Sequence, residues 1–249
     1  MIFLTAAPPA DPAPDAATAR VRIVGIGASA GGLAALEAFL ERVPPESGLA
    51  YIVVQHLDPT QKAMLAELLQ RATPMRVSEA ENLMQVETDC VYVIPPNTEL
   101  SLVGDVLHLE QPSEPRGMRL PVNILFSSLA RTQGDRAIAV VLSGMGADGT
   151  LGLQAIKAMG GLVVVQQPES AQFDSMPLAA IASGCADIVA PPAELPARIL
   201  DYMARLTDAP SPDPVHGMID KPSRKLPATA ARPWMAMRRS MRRFSVLGL

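Results

Sequence analysis

Cysteine and long apolar runs are scarce in this 249-residue chain, and each scarcity excludes something. Only Cys90 and Cys185 are present, both among apolar neighbours without metal-ligand spacing, so they read as packed, reduced thiols, not as a disulfide framework or a metal site. No stretch approaches the roughly 20 apolar residues of a membrane span. There is no G-x-x-x-x-G-K-[ST] phosphate loop, and the Pro- and Ala-rich residues 1 to 19 carry no basic n-region and only a short apolar start, so they read as a disordered arm and not as a signal peptide. A cytoplasmic protein is expected.

What is plentiful is apolar residue, 49% of the chain, enough for one good-sized core between two unlike ends. Three regions follow: an arm over 1–19, a domain over 20–207, and a Pro-rich linker with a basic tail over 208–249. The net charge of −4 is unevenly spread. Residues 20–206 carry 13 Lys and Arg against 20 Asp and Glu, a balance of −7, whereas residues 208–249 carry 8 against 3, a balance of +5. An acidic body argues against nucleic acid as a partner. In the tail, Trp234, Met237, Met241 and Phe244 share one helical face, flanked by Arg238, Arg239, Arg242 and Arg243, so either contact with an anionic membrane surface or a solvated basic end fits.

Buried-strand texture alternates with helical spacing along the domain. Strands are expected near 21–26, 49–54, 137–142, 162–165 and 187–189. Helices are expected over 31–43, 64–69, around 122–130, over 150–159 and 178–182, with a last one bearing Leu195, Ile199, Tyr202, Met203 and Leu206. Between 75 and 111 the runs are short and β-branched, with Gly104-Asp105 as a hairpin turn, and an antiparallel excursion at one edge is expected. The pattern is that of a doubly wound three-layer α/β/α domain with a mostly parallel sheet and a small antiparallel hairpin. In such sheets, catalytic groups gather at the carboxyl ends of the strands.

Three strand ends carry complementary chemistry. Gly27-Ala28-Ser29-Ala30-Gly31 fits the G-x-S-x-G elbow, in which small neighbours let a strand turn sharply into a helix with the hydroxyl exposed. The same letters, Gly25-x-Gly27-x-x-Ala30, fit a dinucleotide fingerprint, but the second strand ends in Gln55-His56 where that reading wants an acid. Alternatively, Ser29 caps the following helix. His56 is the one imidazole at a parallel strand end, since His108 lies in the hairpin and His216 in the tail; it suits a general base or a local hydrogen-bonding role. Asp148, in Ser143-Gly144-Met145-Gly146-Ala147-Asp148-Gly149, suits the carboxylate that orients such a base, or an ordinary turn aspartate. Backbone N–H groups around Met145 and Gly146, or those at the start of the helix beginning at Gly31, are candidate oxyanion donors. No metal or cofactor is called for.

Taken together, Gly27-Ala28-Ser29-Ala30-Gly31-Gly32, Val53-Val54-Gln55-His56, Val91-Tyr92-Val93-Ile94-Pro95-Pro96, residues 142–149 and Met176-Pro177 make residues 20–206 resemble the protein-glutamate methylesterases of bacterial chemotaxis, the CheB family. Pro168-Glu169-Ser170-Ala171 and Pro191-Pro192 bring the wording nearest to methylesterase domains fused to a receptor methyltransferase. The resemblance implies hydrolysis of glutamate γ-methyl esters on methyl-accepting chemoreceptors, with glutamine deamidation as a second activity and a methyltransferase acting in opposition. It implies Ser29 as nucleophile, His56 as base, Asp148 as orienting acid and the Met145 N–H in the oxyanion hole. A docking scaffold that binds receptors without demethylating them is the other reading. Three departures stand out. Ala30 replaces a threonine common in the family, Arg119-Leu120-Pro121-Val122-Asn123 stands where many members have Arg-Pro-Ser-Val-Asp, and residues 1–19 are too few for a phospho-acceptor receiver domain, so insensitivity to phosphodonors is expected.

Overall fold

Continuous apolar runs, which a strand covered on both faces requires, build the centre of the molecule. It is described by a computed structural model over residues 20–55, 65–112, 114–115 and 118–208. The His56 assignment, the arm and the basic tail lie outside the described residues. Nine strands and six α-helices follow in chain order: β1 (Arg22–Ala28), α1 (Gly32–Leu40), β2 (Leu49–Gln55), α2 (Leu65–Ala72), β3 (Arg76–Glu79), β4 (Cys90–Val93), β5 (Glu99–Val103), β6 (Val106–Glu110), α3 (Pro121–Gln133), β7 (Ile138–Val141), α4 (Thr150–Ala158), β8 (Leu162–Gln166), α5 (Ser175–Ala182), β9 (Ile188–Ala190) and α6 (Leu195–Asp208). No helix among the described residues is long and apolar enough to cross a membrane.

Seven strands form one sheet in the order β3-β4-β2-β1-β7-β8-β9, and every pairing in it is parallel. Alternate residues of each strand serve opposite faces. Ile23, Ile52, Tyr92, Val141 and Val163 pack with α3, α4 and α5, whereas Val24, Ile26, Val53, Val91 and Val164 pack with α1, α2 and α6. The expected three-layer domain is therefore present.

The region from 75 to 111 differs from its expected reading. Cys90 to Val93 is a fully buried parallel strand inside the main sheet, between β3 and β2, and not part of an antiparallel excursion. Four residues are too few to distinguish a run buried on both faces from an alternating one, and β3 is a short edge strand with polar ends. Asp89 fixes the start of β4: its carboxylate accepts the Gly48 N–H at 2.8 Å while its own N–H donates to the Leu49 carbonyl at 2.7 Å. Only β5 and β6 form the antiparallel hairpin, as a separate sheet laid on α3. There the Leu102 N–H donates to Ser128 Oγ at 3.1 Å and Thr132 Oγ1 donates to the Leu102 carbonyl at 3.0 Å, so two α3 hydroxyls satisfy backbone groups of the strand.

Helix α3 approaches the sheet closely because β1 places two glycines, Gly25 and Gly27, beneath it. A Cβ on Gly27 would overlap Val122 Cγ1, and one on Gly25 would lie 3.1 Å from Leu129 Cδ2. Phe126, fully buried, fills the space left by Gly27, Gly149 and Gly152. Truncating it to alanine would cost about 3–5 kcal/mol.

Candidate active site

The chain reverses its direction of winding at β1, which sends the next strand, β2, to one side and has β7 on its other side. Ligand sites in open parallel sheets sit at such a switch point, beyond the carboxyl ends of the strands. The register pairs Gly27 with both Val54 and Val141, and Ala28 with Gln55, so the segments after β1, β2 and β7 leave from one edge. Ser29 and loop 143–149 occupy two of these exits. His56 directly follows the third, β2, and lies outside the described residues.

Ser29 is half-buried. Its N–H donates to the Ser143 carbonyl at 3.0 Å, extending the β1–β7 ladder by one bond, and its carbonyl accepts the Gly32 N–H at 2.9 Å. The capping alternative does not hold: α1 is capped by Gly31, in the left-handed conformation at φ 68°, with no side-chain cap. Among the described residues the Ser29 hydroxyl has no hydrogen-bond partner. A Cβ on Gly31 would meet Gln172 and Ser143 Oγ within 3.0 Å, so glycine here answers both the positive φ and the crowding.

Ser143, not singled out by the sequence reading, braces the site. It is buried, its N–H donates to Gln166 Oε1 at 2.8 Å, its Oγ accepts the Phe173 N–H at 3.0 Å, and the same hydroxyl donates to the Ala30 carbonyl at 3.0 Å. One residue, through its N–H and its hydroxyl, thus ties the serine elbow, the end of β8 and the approach to α5 together. Its neighbour Gly144 donates its N–H to the Phe173 carbonyl and accepts that of Met176, both at 3.0 Å. A Cβ on Gly144 would overlap Met176 Sδ and lie 3.0 Å from Ser29 Cβ. The buried polar serine inside Leu142-Ser143-Gly144 was the available signal, since a buried hydroxyl at a strand end must bond something.

Asp148 is 7% exposed and its carboxylate spans the start of α3: Oδ2 accepts the Val122 N–H and Oδ1 the Asn123 N–H, each at 3.0 Å. These are orphan donors of a helix first turn, where negative charge is favoured. Pro121 at the first helical position marks that terminus in the sequence. Asn123, read as a departure near the substrate, acts structurally, because its Oδ1 accepts the Gly152 N–H in the first turn of α4 at 2.9 Å. An amide oxygen serves that purpose as a carboxylate would.

Of the two candidate oxyanion donors in loop 143–149, the Gly146 N–H is directed to Ser175 Oγ at 3.2 Å, whereas the Met145 N–H has no acceptor among the described residues. Met145 is 58% exposed, and Gly146 adopts φ 86° with open space around it. A cleft of about 420 Å³ opens beside the loop. It is bounded by Met145 and Asp148, by Gln55 and Ile94, and on the far wall by Asn97 and Arg119. Ser29 does not itself line it, but adjoins a residue that does: Gln55 donates from Nε2 to the Ser29 carbonyl at 3.4 Å. His108 stands apart, on β6 opposite Ser101 in the hairpin.

Fold and site together define a doubly wound α/β domain with a serine-bearing elbow at its switch point. Residues 24–199 match the CheB methylesterase family, and the chain belongs to that family. The crystal structure of the Thermotoga maritima CheB methylesterase catalytic domain is similar at TM-score 0.68 and 30% identity, covering 73% of this chain and 98% of that one. A protein-glutamate methylesterase/protein-glutamine glutaminase of Methanosarcina acetivorans is 36% identical over 177 residues, 68% of this chain and 50% of that protein. An uncharacterised 104.1 kDa protein of Rhodobacter capsulatus is 41% identical over 160 residues, 62% of this chain. The matched part spans half the length of the Methanosarcina protein and 17% of the Rhodobacter one.

Proposed function

We propose that this chain is a protein-glutamate methylesterase, hydrolysing glutamate γ-methyl esters on methylated chemoreceptors by a triad of Ser29, His56 and Asp148. The observation that carries this reading is the placement of a solvent-reaching serine elbow and a loop with an uncommitted amide, Met145, on adjacent strand ends of a family fold. In the proposed reaction Ser29 Oγ attacks the ester carbonyl while His56 takes its proton, and the oxyanion is held by the Met145 N–H. His56 returns the proton to the departing methanol. Water, deprotonated by His56, then attacks the acyl-serine, releasing the glutamate carboxylate and restoring the Ser29 hydroxyl. The Asp148 charge orients the imidazole and stabilises its protonated form.

The name of the Methanosarcina relative includes a glutaminase, and a glutamine side chain would follow the same course with ammonia as leaving group. The site of action belongs in the cytoplasm, opposite a receptor methyltransferase, with the basic tail at 210–249 available to an anionic membrane surface. The deciding experiment supplies the whole chain with a receptor fragment bearing methyl-esterified glutamates and measures methanol. Release at a rate proportional to enzyme is expected. Binding of the fragment with no methanol released would replace the enzyme with a docking scaffold, and ammonia from a glutamine-bearing fragment would establish the deamidase activity.

A further inference from the structure

Arg119 takes no part in the reaction above, yet it lines the same cleft as Met145 to Asp148. The lining is largely apolar, with Val54, Ile94, Pro95 and Leu120 among its members. Its charged side chains are Asp148, Glu99 and Arg119. Asp148 is already engaged with the first turn of α3. Arg119 is held differently. Its Nε–H donates to the Glu114 carbonyl and its Nη1 to Asn97 Oδ1, both at 2.7 Å. Both acceptors are neutral, and among the described residues no carboxylate forms an ion pair with this guanidinium, Glu99 included.

A guanidinium has five N–H donors in a rigid fork. Two are used to fix its plane, which leaves the remaining three pre-oriented and, among the described residues, without a carboxylate partner. The anchoring Asn97 holds φ 57°, a left-handed conformation that asparagine tolerates better than most residues. Backbone outliers of this kind cluster at ligand clamps. The surrounding body is acidic, at −7 over residues 20–206, so long-range attraction does not draw acidic peptides here and discrimination has to be local. A planar, unpaired fork beside an apolar cleft suits bidentate capture of a carboxylate.

We propose that Arg119 is a specificity-determining residue that binds a second carboxylate on the substrate, a Glu or Asp side chain near the esterified glutamate. The preferred substrate is then an acidic segment carrying a neutral ester among free carboxylates. The apolar floor accepts the uncharged methyl ester while Arg119 takes the neighbouring charge. This assignment rests on the esterase reading above.

The test uses the whole chain and pairs of peptides that carry one glutamate methyl ester. In one member of each pair a Glu lies beside the ester or one helical turn away, and in the other that residue is Gln. Methanol release gives kcat and KM. At low salt the wild type should favour the acidic member about tenfold in kcat/KM, the order expected of one charged hydrogen-bonded pair. The preference should reside in KM and shrink as salt is added. In Arg119→Gln the ratio should fall to about 1, and in Arg119→Lys it should be intermediate, since charge remains without the fork. Equal turnover of both peptides by the wild type overturns the assignment whatever the variants do, and so does an undiminished preference in a folded Arg119→Gln protein. Absence of methanol from both peptides instead sinks the esterase reading.

Discussion

The turn after β1 and the loop after β7 leave neighbouring, register-matched strands, and both are rich in glycine. Gly31 in the first and Gly144 and Gly149 in the second are all crowded, but one position at each strand end answers an opposite demand. At the end of β1, Gly27 makes room for α3, as Gly25 does two residues earlier, and a Cβ on Gly32 would lie 2.7 Å from that of Ala28. In the loop, Gly146 has nothing within 4 Å of a would-be Cβ and is there for its φ of 86°. The first turn therefore presents a side chain, Ser29, from a tightly packed base. The second presents backbone N–H groups from a contour that other residues adopt only with strain. Similar glycine-rich texture thus encodes two kinds of functional group, and only packing distinguishes them.

The strongest challenge to this contrast is to remove what the elbow presents. Ser29→Ala should lower kcat/KM for methyl-ester hydrolysis by about 10⁴-fold or more while the melting temperature stays near that of the wild type. Near-normal turnover would move the chemistry away from the elbow. Asp148→Asn tests the loop's anionic end and should affect rate and stability together. The loss of rate should be smaller than for Ser29→Ala, on the order of 10²–10³-fold. Stability should drop by about 1–2 kcal/mol in urea titration, because one of the two N–H acceptors at α3 disappears along with the charge. A change in rate with stability intact would confine Asp148 to the chemistry.

The smallest and most discriminating pair is Gly144→Ala against Gly146→Ala. The first inserts a methyl between Ser29 Cβ and Met176, so it should cost about 1–3 kcal/mol and slow turnover. The second meets no atom and should cost only about 1 kcal/mol of backbone strain. Thermal melts and kcat on the same preparations decide it, and equal effects would erase the distinction between room and dihedral.

Long apolar runs made β1, β2, β7 and β8 readable from sequence, since a strand covered on both faces leaves little else to choose. The elbow letters and the Asp148 loop were readable for the same reason: each follows such a run. β3 and β4 were not. Residues 90–93 are buried on both faces like the other central strands, but the run is short and the hairpin turn at Gly104-Asp105 drew the neighbouring segments into one antiparallel reading. The bracing by Ser143 and the α4 contact of Asn123 depend on partners 23 to 113 positions away in sequence. Local spacing does not carry such pairings. Arg119 was visible as a letter, but its neutral anchors at Asn97 and Glu114 were not.

The hairpin of β5 and β6 has a consequence for descent. The far wall of the cleft, from Asn97 through Glu99, runs into a small sheet of its own, joined to α3 by the Ser128 and Thr132 hydroxyls and a few leucines. Ser29, loop 143–149 and Asp148 hang instead from the seven-stranded sheet. On the proposed reading, reaction and recognition sit on separate pieces of backbone. A lineage can rewrite the wall, exchange one protein target for another, and leave the register that aligns the chemistry untouched.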